Sequence, residues 1–102
     1  MTSTFDDEAL KHSLKHHGKL TTSVVVPLST KDDLSTQYTP GVAAVSLAIS
    51  KNHEESFTRT WRGRLIAVVS DGTAVLGLGN IGPEGALPVM EGKCALLKKF
   101  AG

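Results

Sequence analysis

Arg64 to Pro83, "RLIAVVSDGTAVLGLGNIGP", is the stretch whose reading decides the fold. Two apolar runs flank Ser70–Thr73, and an Asp-Gly pair between such runs predicts a tight hairpin, with antiparallel strands over 64–69 and 74–78. Trp61 then closes one end of that sheet as a core residue. The second half of the stretch, "GLGNIG" from Gly77 to Gly82, also satisfies G-x-G-x-x-G, the pattern of loops that hold a dinucleotide pyrophosphate. Three features oppose that reading. The preceding strand pairs back through a two-residue turn, whereas a dinucleotide fold opens a parallel crossover. Glu84 occupies the first helical turn, where a pyrophosphate needs the positive end of the dipole for itself. No second strand with an acidic ribose ligand follows about 20 residues on. We therefore read the glycines as a tight strand-to-helix turn that uses positive φ and close backbone approach.

Working outward, "PEGALPVMEGKCALLKKF" from Pro83 predicts a helix broken or kinked near Pro88, with Lys98 and Lys99 suiting its C-terminal end. "VAAVSLAISKN" (42–52) carries Val42, Val45, Ala48 and Ile49 at helical spacing after Pro40. "STKDDLSTQYTPG" (29–41) reads as a polar loop with one helical turn. "LTTSVVVPL" (20–28) is rich in β-branched residues and ends in proline, which predicts a strand near a sheet edge. "FDDEALKHSLKHH" (5–17) predicts an amphipathic helix stopped by Gly18. The expected fold class is α/β, an α+β-like arrangement of short helices around a small sheet built on the 64–69/74–78 hairpin. One domain spans residues 1–102.

Lys and Arg number 11 against 10 Asp and Glu, a net charge of +1. That balance gives no electrostatic footprint for nucleic acid or an anionic membrane. Five aromatic residues lie scattered rather than in a basic stripe, so base stacking is unsupported as well. Cys94 is the sole cysteine, which excludes an internal disulfide and fits a reducing compartment. The start, "MTSTFDDEAL", has no apolar h-region, and no apolar run approaches the ~20 residues of a spanning helix. The expectation is a cytoplasmic protein.

"DLSTQYTPGVA" (33–43), "VVSDGTAVLGLGNIGPEGALPVMEGK" (68–93) and "KKFAG" (98–102), in that order, resemble the N-terminal part of bacterial malic enzymes, over about Lys19 to Gly102. The resemblance implies oxidative decarboxylation of malate to pyruvate and CO2 with NAD or NADP and Mg2+ or Mn2+. It implies that this chain is an incomplete malic enzyme N-terminal domain. The family's metal-binding carboxylates and its separate C-terminal NAD(P)-binding domain are absent from residues 1–102. No cofactor-binding or metal residue is therefore assigned here; the chain alone is expected to be inactive and to bind neither group tightly. A homodimer or higher homo-oligomer is implied too. One departure lies within the match: larger eukaryotic relatives carry a substrate-binding Arg where Ala74 stands.

By the same resemblance Tyr38 is the general acid that protonates the enolpyruvate carbon, a task that suits a phenol because it is protonated at neutral pH. Its bland reading is a tyrosine packed on a Thr-Pro-Gly turn. Lys93, in "EGK", is the general base on the C2 hydroxyl and must be neutral, which requires burial or neighbouring cations. Its bland reading is a solvated helix lysine. Gly92-Lys93 is no phosphate loop, since Cys94 follows and Leu87 replaces the first glycine. Asp71, Gly77, Gly79 and Asn80 are substrate-pocket candidates, with Asp71 alternatively serving only its turn. His12 and His16 stand at i and i+4 beside His17, a metal pair or a solvated helix face. Cys94 is a thiolate beside Lys93 or a small core residue. A second class of function stays open: a non-catalytic module using this fold for dimerisation or dicarboxylate binding.

Overall fold

The computed structural model describes residues 3–102. Among them run five α-helices: α1 (Thr4–His16), α2 (Lys31–Gln37), α3 (Val42–Lys51), α4 (Ser56–Arg59) and α5 (Gly82–Ala101). Two 3-10 turns, His53–Glu55 and Trp61–Arg64, flank α4. The chain divides into two units, one made of the segment up to Thr21 with Ala67–Gly102, the other of Thr22–Ile66.

In the first unit, α1 starts where the Ser3 hydroxyl accepts from the Asp6 N–H at 3.1 Å and the Asp6 carboxylate accepts from the Ser3 N–H at 3.0 Å. This reciprocal capping satisfies two donors that a helix start otherwise leaves orphaned. The helix ends at His17, whose φ of 52° is left-handed, and Gly18 follows at φ 97°. The link from α1 to α5 is made by Glu91. Its carboxylate accepts from the Lys19 N–H at 3.0 Å and lies against Gly18, where a Cβ would come within 2.6 Å of it. α5 runs as one element through Pro88. A proline in its second turn forfeits one backbone bond without ending the helix, so of the two outcomes expected near Pro88, broken or kinked, the break does not occur. The buried apolar residues of the described chain are Val75 and Ala86, both in this unit.

The regular elements of the second unit are all helical. α2 is longer than the single turn expected, because Thr30 and Asp33 form a second capping box: Thr30 Oγ1 accepts from the Asp33 N–H at 3.0 Å and Asp33 accepts in return at 3.1 Å. The Thr-x-x-Asp spacing that announces it stands in the sequence. α3 matches the expected helix to within one residue at its end. Near α4, Arg59 Nε pairs with Glu55 at 2.8 Å, and Arg62 lies over the Phe57 ring at 4.3 Å while donating to Ser56 Oγ at 2.9 Å.

The expected α/β class is wrong. Among the described residues there is no strand and no sheet, only one isolated antiparallel bridge between Val75 and Gly79. The hairpin 64–69/74–78 does not form, for a reason visible in the hydrogen bonds. The Gly72 carbonyl accepts from the Ile81 and Gly82 N–H groups at 3.1 and 3.2 Å, so the Asp-Gly turn bonds forward to the start of α5 rather than bringing 74–78 back on 64–69. The Val75 N–H donates to the Gly79 carbonyl and the Val75 carbonyl accepts from Leu78 and Gly79, all at 2.8 Å, which folds 75–79 into a loop on itself. Residues 20–28 are likewise no strand; with no neighbouring strand to pair with, β-branched residues do not make one. Trp61, expected as sheet core, opens a 3-10 turn and is 61% exposed.

Candidate active site

The glycine-rich segment is a compact turn built on Ser70–Thr73. Ser70 Oγ accepts from the Gly72 N–H at 3.0 Å, and Asp71 Oδ1 accepts from both the Thr73 N–H at 3.0 Å and the Thr73 hydroxyl at 2.8 Å. Side-chain oxygens bonding backbone two residues on are the mechanism by which Ser and Asp favour turns over strands. These bonds, the Thr73 N–H first and the Thr73 hydroxyl second, hold the exposed Asp71 carboxyl below the usual carboxylate value. Gly72 is buried at φ 74°, and a Cβ there would fall on the Gly82 carbonyl. Only glycine fits such an approach of two backbones.

Of the sequence candidates, Asp71, Gly77, Gly79 and Asn80 lie along this one turn, exposed, with Gly77 and Gly79 at φ 79° and 74°. Asp71 does serve its turn, through Thr73, while its outer face remains open to solvent. Lys93 lies in the same unit on α5, two residues beyond Glu91, and is exposed. The burial that a neutral base requires is not supplied by the described residues around it. Cys94 beside it is a half-buried free thiol.

Tyr38 belongs to the second unit, at the end of α2. Its N–H donates to the Leu34 carbonyl at 2.8 Å and its carbonyl accepts from Val42 at 2.6 Å, while the Gly41 N–H donates to Ser35 at 2.8 Å. A Cβ at Gly41 would run into the Thr36 carbonyl, so the glycine of "YTPGV" is required by the close return of the chain on α2. The backbone of Tyr38 is thus held on both sides while its side chain projects, 69% exposed. The bland reading, a tyrosine packed on its turn, does not describe it. Residues that the sequence reading passed over are Ser70, Thr73 and Glu91. The "SDGT" string contains the signal for the first two; nothing local signals that Glu91 reaches Lys19, 72 positions away.

Among the described residues no group of three or more His, Cys, Asp or Glu could hold a metal ion. The oxygen-rich octahedral shell that Mg2+ or Mn2+ requires is therefore not composed by them. Nor do they form the parallel sheet at whose edge a dinucleotide binds. No helix among them is long and apolar enough to cross a membrane.

Known proteins resemble this chain over most of its length. Residues 17–102 match the family described as malic enzyme, N-terminal domain. The NAD-dependent malic enzyme of Geobacillus stearothermophilus is 55% identical over 85 residues, covering 83% of this chain and 18% of that protein. The NADP-dependent malic enzyme of Escherichia coli (strain K12) is 50% identical over 102 residues, covering 95% and 13%. A crystal structure of the NAD-dependent malic enzyme from Thermotoga maritima superposes with a TM-score of 0.86 at 52% identity, over 91% of this chain and 26% of that one. The chain thus spans between about an eighth and a quarter of the length of these relatives. Matched over residues 17–102 and about half identical to its relatives, the chain belongs to the malic enzyme family, as N-terminal domain sequence.

Proposed function

We propose that this chain is the substrate-side N-terminal part of an NAD(P)-dependent malic enzyme, and that the whole protein converts malate to pyruvate and CO2 with a divalent metal. The observation that carries the reading is the match over residues 17–102, which includes both "YTPGV" and "EGK". Relatives named NAD-dependent and NADP-dependent both align at 50% identity or more, so the match does not select between the two. The hydride acceptor and the metal are contributions of the remainder of the protein. Within this chain, Lys93 removes the proton from the C2 hydroxyl of malate, and Tyr38 delivers a proton to C3 of enolpyruvate once CO2 has left. A phenol held by its backbone but projecting freely is suited to that delivery. Asp71, Gly77, Gly79 and Asn80 line the malate side of the turn. The protein acts in the cytoplasm as a homodimer or larger assembly, which covers apolar side chains of α5 such as Leu87, Leu96 and Phe100, now 57%, 59% and 80% exposed.

The test uses the whole protein that carries this chain. Lys93→Ala should abolish malate oxidation. Tyr38→Phe keeps the ring and should place the loss on protonation of enolpyruvate. Mixing the two inactive variants then asks whether one site draws on both subunits: recovered activity means that it does, and none despite proven exchange means that both residues serve one subunit. Full malate turnover by Lys93→Ala would end this assignment. Turnover by neither variant nor parent, with metal and both nucleotides present, would favour the non-catalytic module.

A further inference from the structure

The histidine pair of α1 is not used by the reaction proposed above. His12 and His16 lie one helical turn apart on the same exposed face, with their ring centroids 5.9 Å apart and their planes at 87°. Two imidazoles on one tetrahedral ion, with metal–nitrogen bonds of about 2.1 Å, place their centroids about 5 Å apart. The observed spacing is within about 1 Å of that value. The rings open on a cleft of about 380 Å3, lined also by Ala9, Ser13, Gly18 and Lys19, which leaves room for the water ligands that complete a coordination shell. Two charges bear on the cleft from its own unit. The Lys19 ammonium opposes a cation, whereas the Glu91 carboxylate, resting on Gly18 and bonded to the Lys19 N–H, favours one. His16 sits in the last turn of α1, at the negative end of the helix dipole, which adds to the attraction.

We propose that His12 and His16 form a two-histidine chelate on α1 for a borderline transition-metal ion such as Ni2+, Cu2+ or Zn2+. Imidazole nitrogens select these ions over Mg2+, which takes oxygen ligands. The proposal rests on this donor set alone and stands or falls separately from the reaction proposed above. His17, one residue on, is the left-handed C-cap of α1 at φ 52°, does not line the cleft and takes no part.

Calorimetric titration of the chain with Ni2+ alone tests this, in a Cys94→Ser background so that the thiol does not compete. One Ni2+ should bind per chain. His12→Asn and His16→Asn should each weaken binding about tenfold or more, because each removes one of two nitrogen ligands, and His17→Asn and His53→Asn should leave it within about twofold. In NMR spectra, paramagnetic Ni2+ should broaden the His12 and His16 ring signals before those of the other histidines. Because both residues are exposed, their substitution leaves the fold intact, which circular dichroism verifies. Absence of Ni2+ binding, equal loss on replacing His17, or binding that survives the double His12→Asn/His16→Asn change would overturn the proposal.

Discussion

Gly72→Ala should be far more damaging than Gly77→Ala, although the two glycines have nearly the same φ, 74° and 79°. Both changes carry the left-handed penalty of an L side chain, about 1 kcal/mol. Only Gly72 meets neighbours: a Cβ there would collide with the Gly82 carbonyl and lie 2.8 Å from the Pro83 nitrogen, whereas nothing lies within 4 Å at Gly77. Those neighbours are backbone at the start of α5 and cannot swing aside. Relief means moving the turn off the helix, which stretches the two bonds that the Gly72 carbonyl accepts from Ile81 and Gly82. At about 1 kcal/mol each these add about 2 kcal/mol, so Gly72→Ala should cost about 3 kcal/mol against about 1 for Gly77→Ala. Urea unfolding followed by circular dichroism reads the difference as a midpoint about 1 M lower, for a slope near 2 kcal/mol/M. Asparagine separates the two causes, because it tolerates left-handed backbone but carries a Cβ. Gly77→Asn should be almost silent and Gly72→Asn should be as harmful as alanine. Equal midpoints for Gly72→Ala and Gly77→Ala would refute the reasoning.

Asp71 supplies a pH signature. Its folded pKa is depressed by Thr73, so its contribution to stability is present above the ordinary value of 3.8 and is lost as pH falls through the lower folded value. Thr73→Val removes the hydroxyl bond and should move the Asp71 titration upward in carboxyl-carbon NMR; an unmoved titration would contradict the cause assigned. Glu91→Ala removes the acceptor of the Lys19 N–H and should raise amide exchange at Lys19 by about fivefold, for a bond worth about 1 kcal/mol. Unchanged exchange there would show that the link to α1 does not depend on Glu91. The chain by itself should show no NAD binding at micromolar concentration, and calorimetry that detects it would reopen the dinucleotide reading of Gly77–Gly82.

Much of the local structure and all of the family were legible without coordinates. The helical spacing of 42–52 and the acidic start with a glycine stop at 5–18 are local properties, decided within a few residues of chain. The same is true of the capping pairs Ser3/Asp6 and Thr30/Asp33, although only the structure drew attention to them and lengthened α2. The motifs around Tyr38 and Lys93 are local strings too, which is why they identify the family from sequence. What sequence could not decide was whether the apolar runs at 20–28, 64–69 and 74–78 become strands. A strand exists only through hydrogen bonds to another strand, and those partners are chosen by tertiary structure. Here the Gly72 carbonyl turned toward Ile81 and Gly82, Val75 closed on Gly79, and the sheet was never made. The approach of Glu91 to Gly18 and Lys19 likewise belongs to tertiary structure alone, because two segments 72 positions apart meet only when the chain between them has folded.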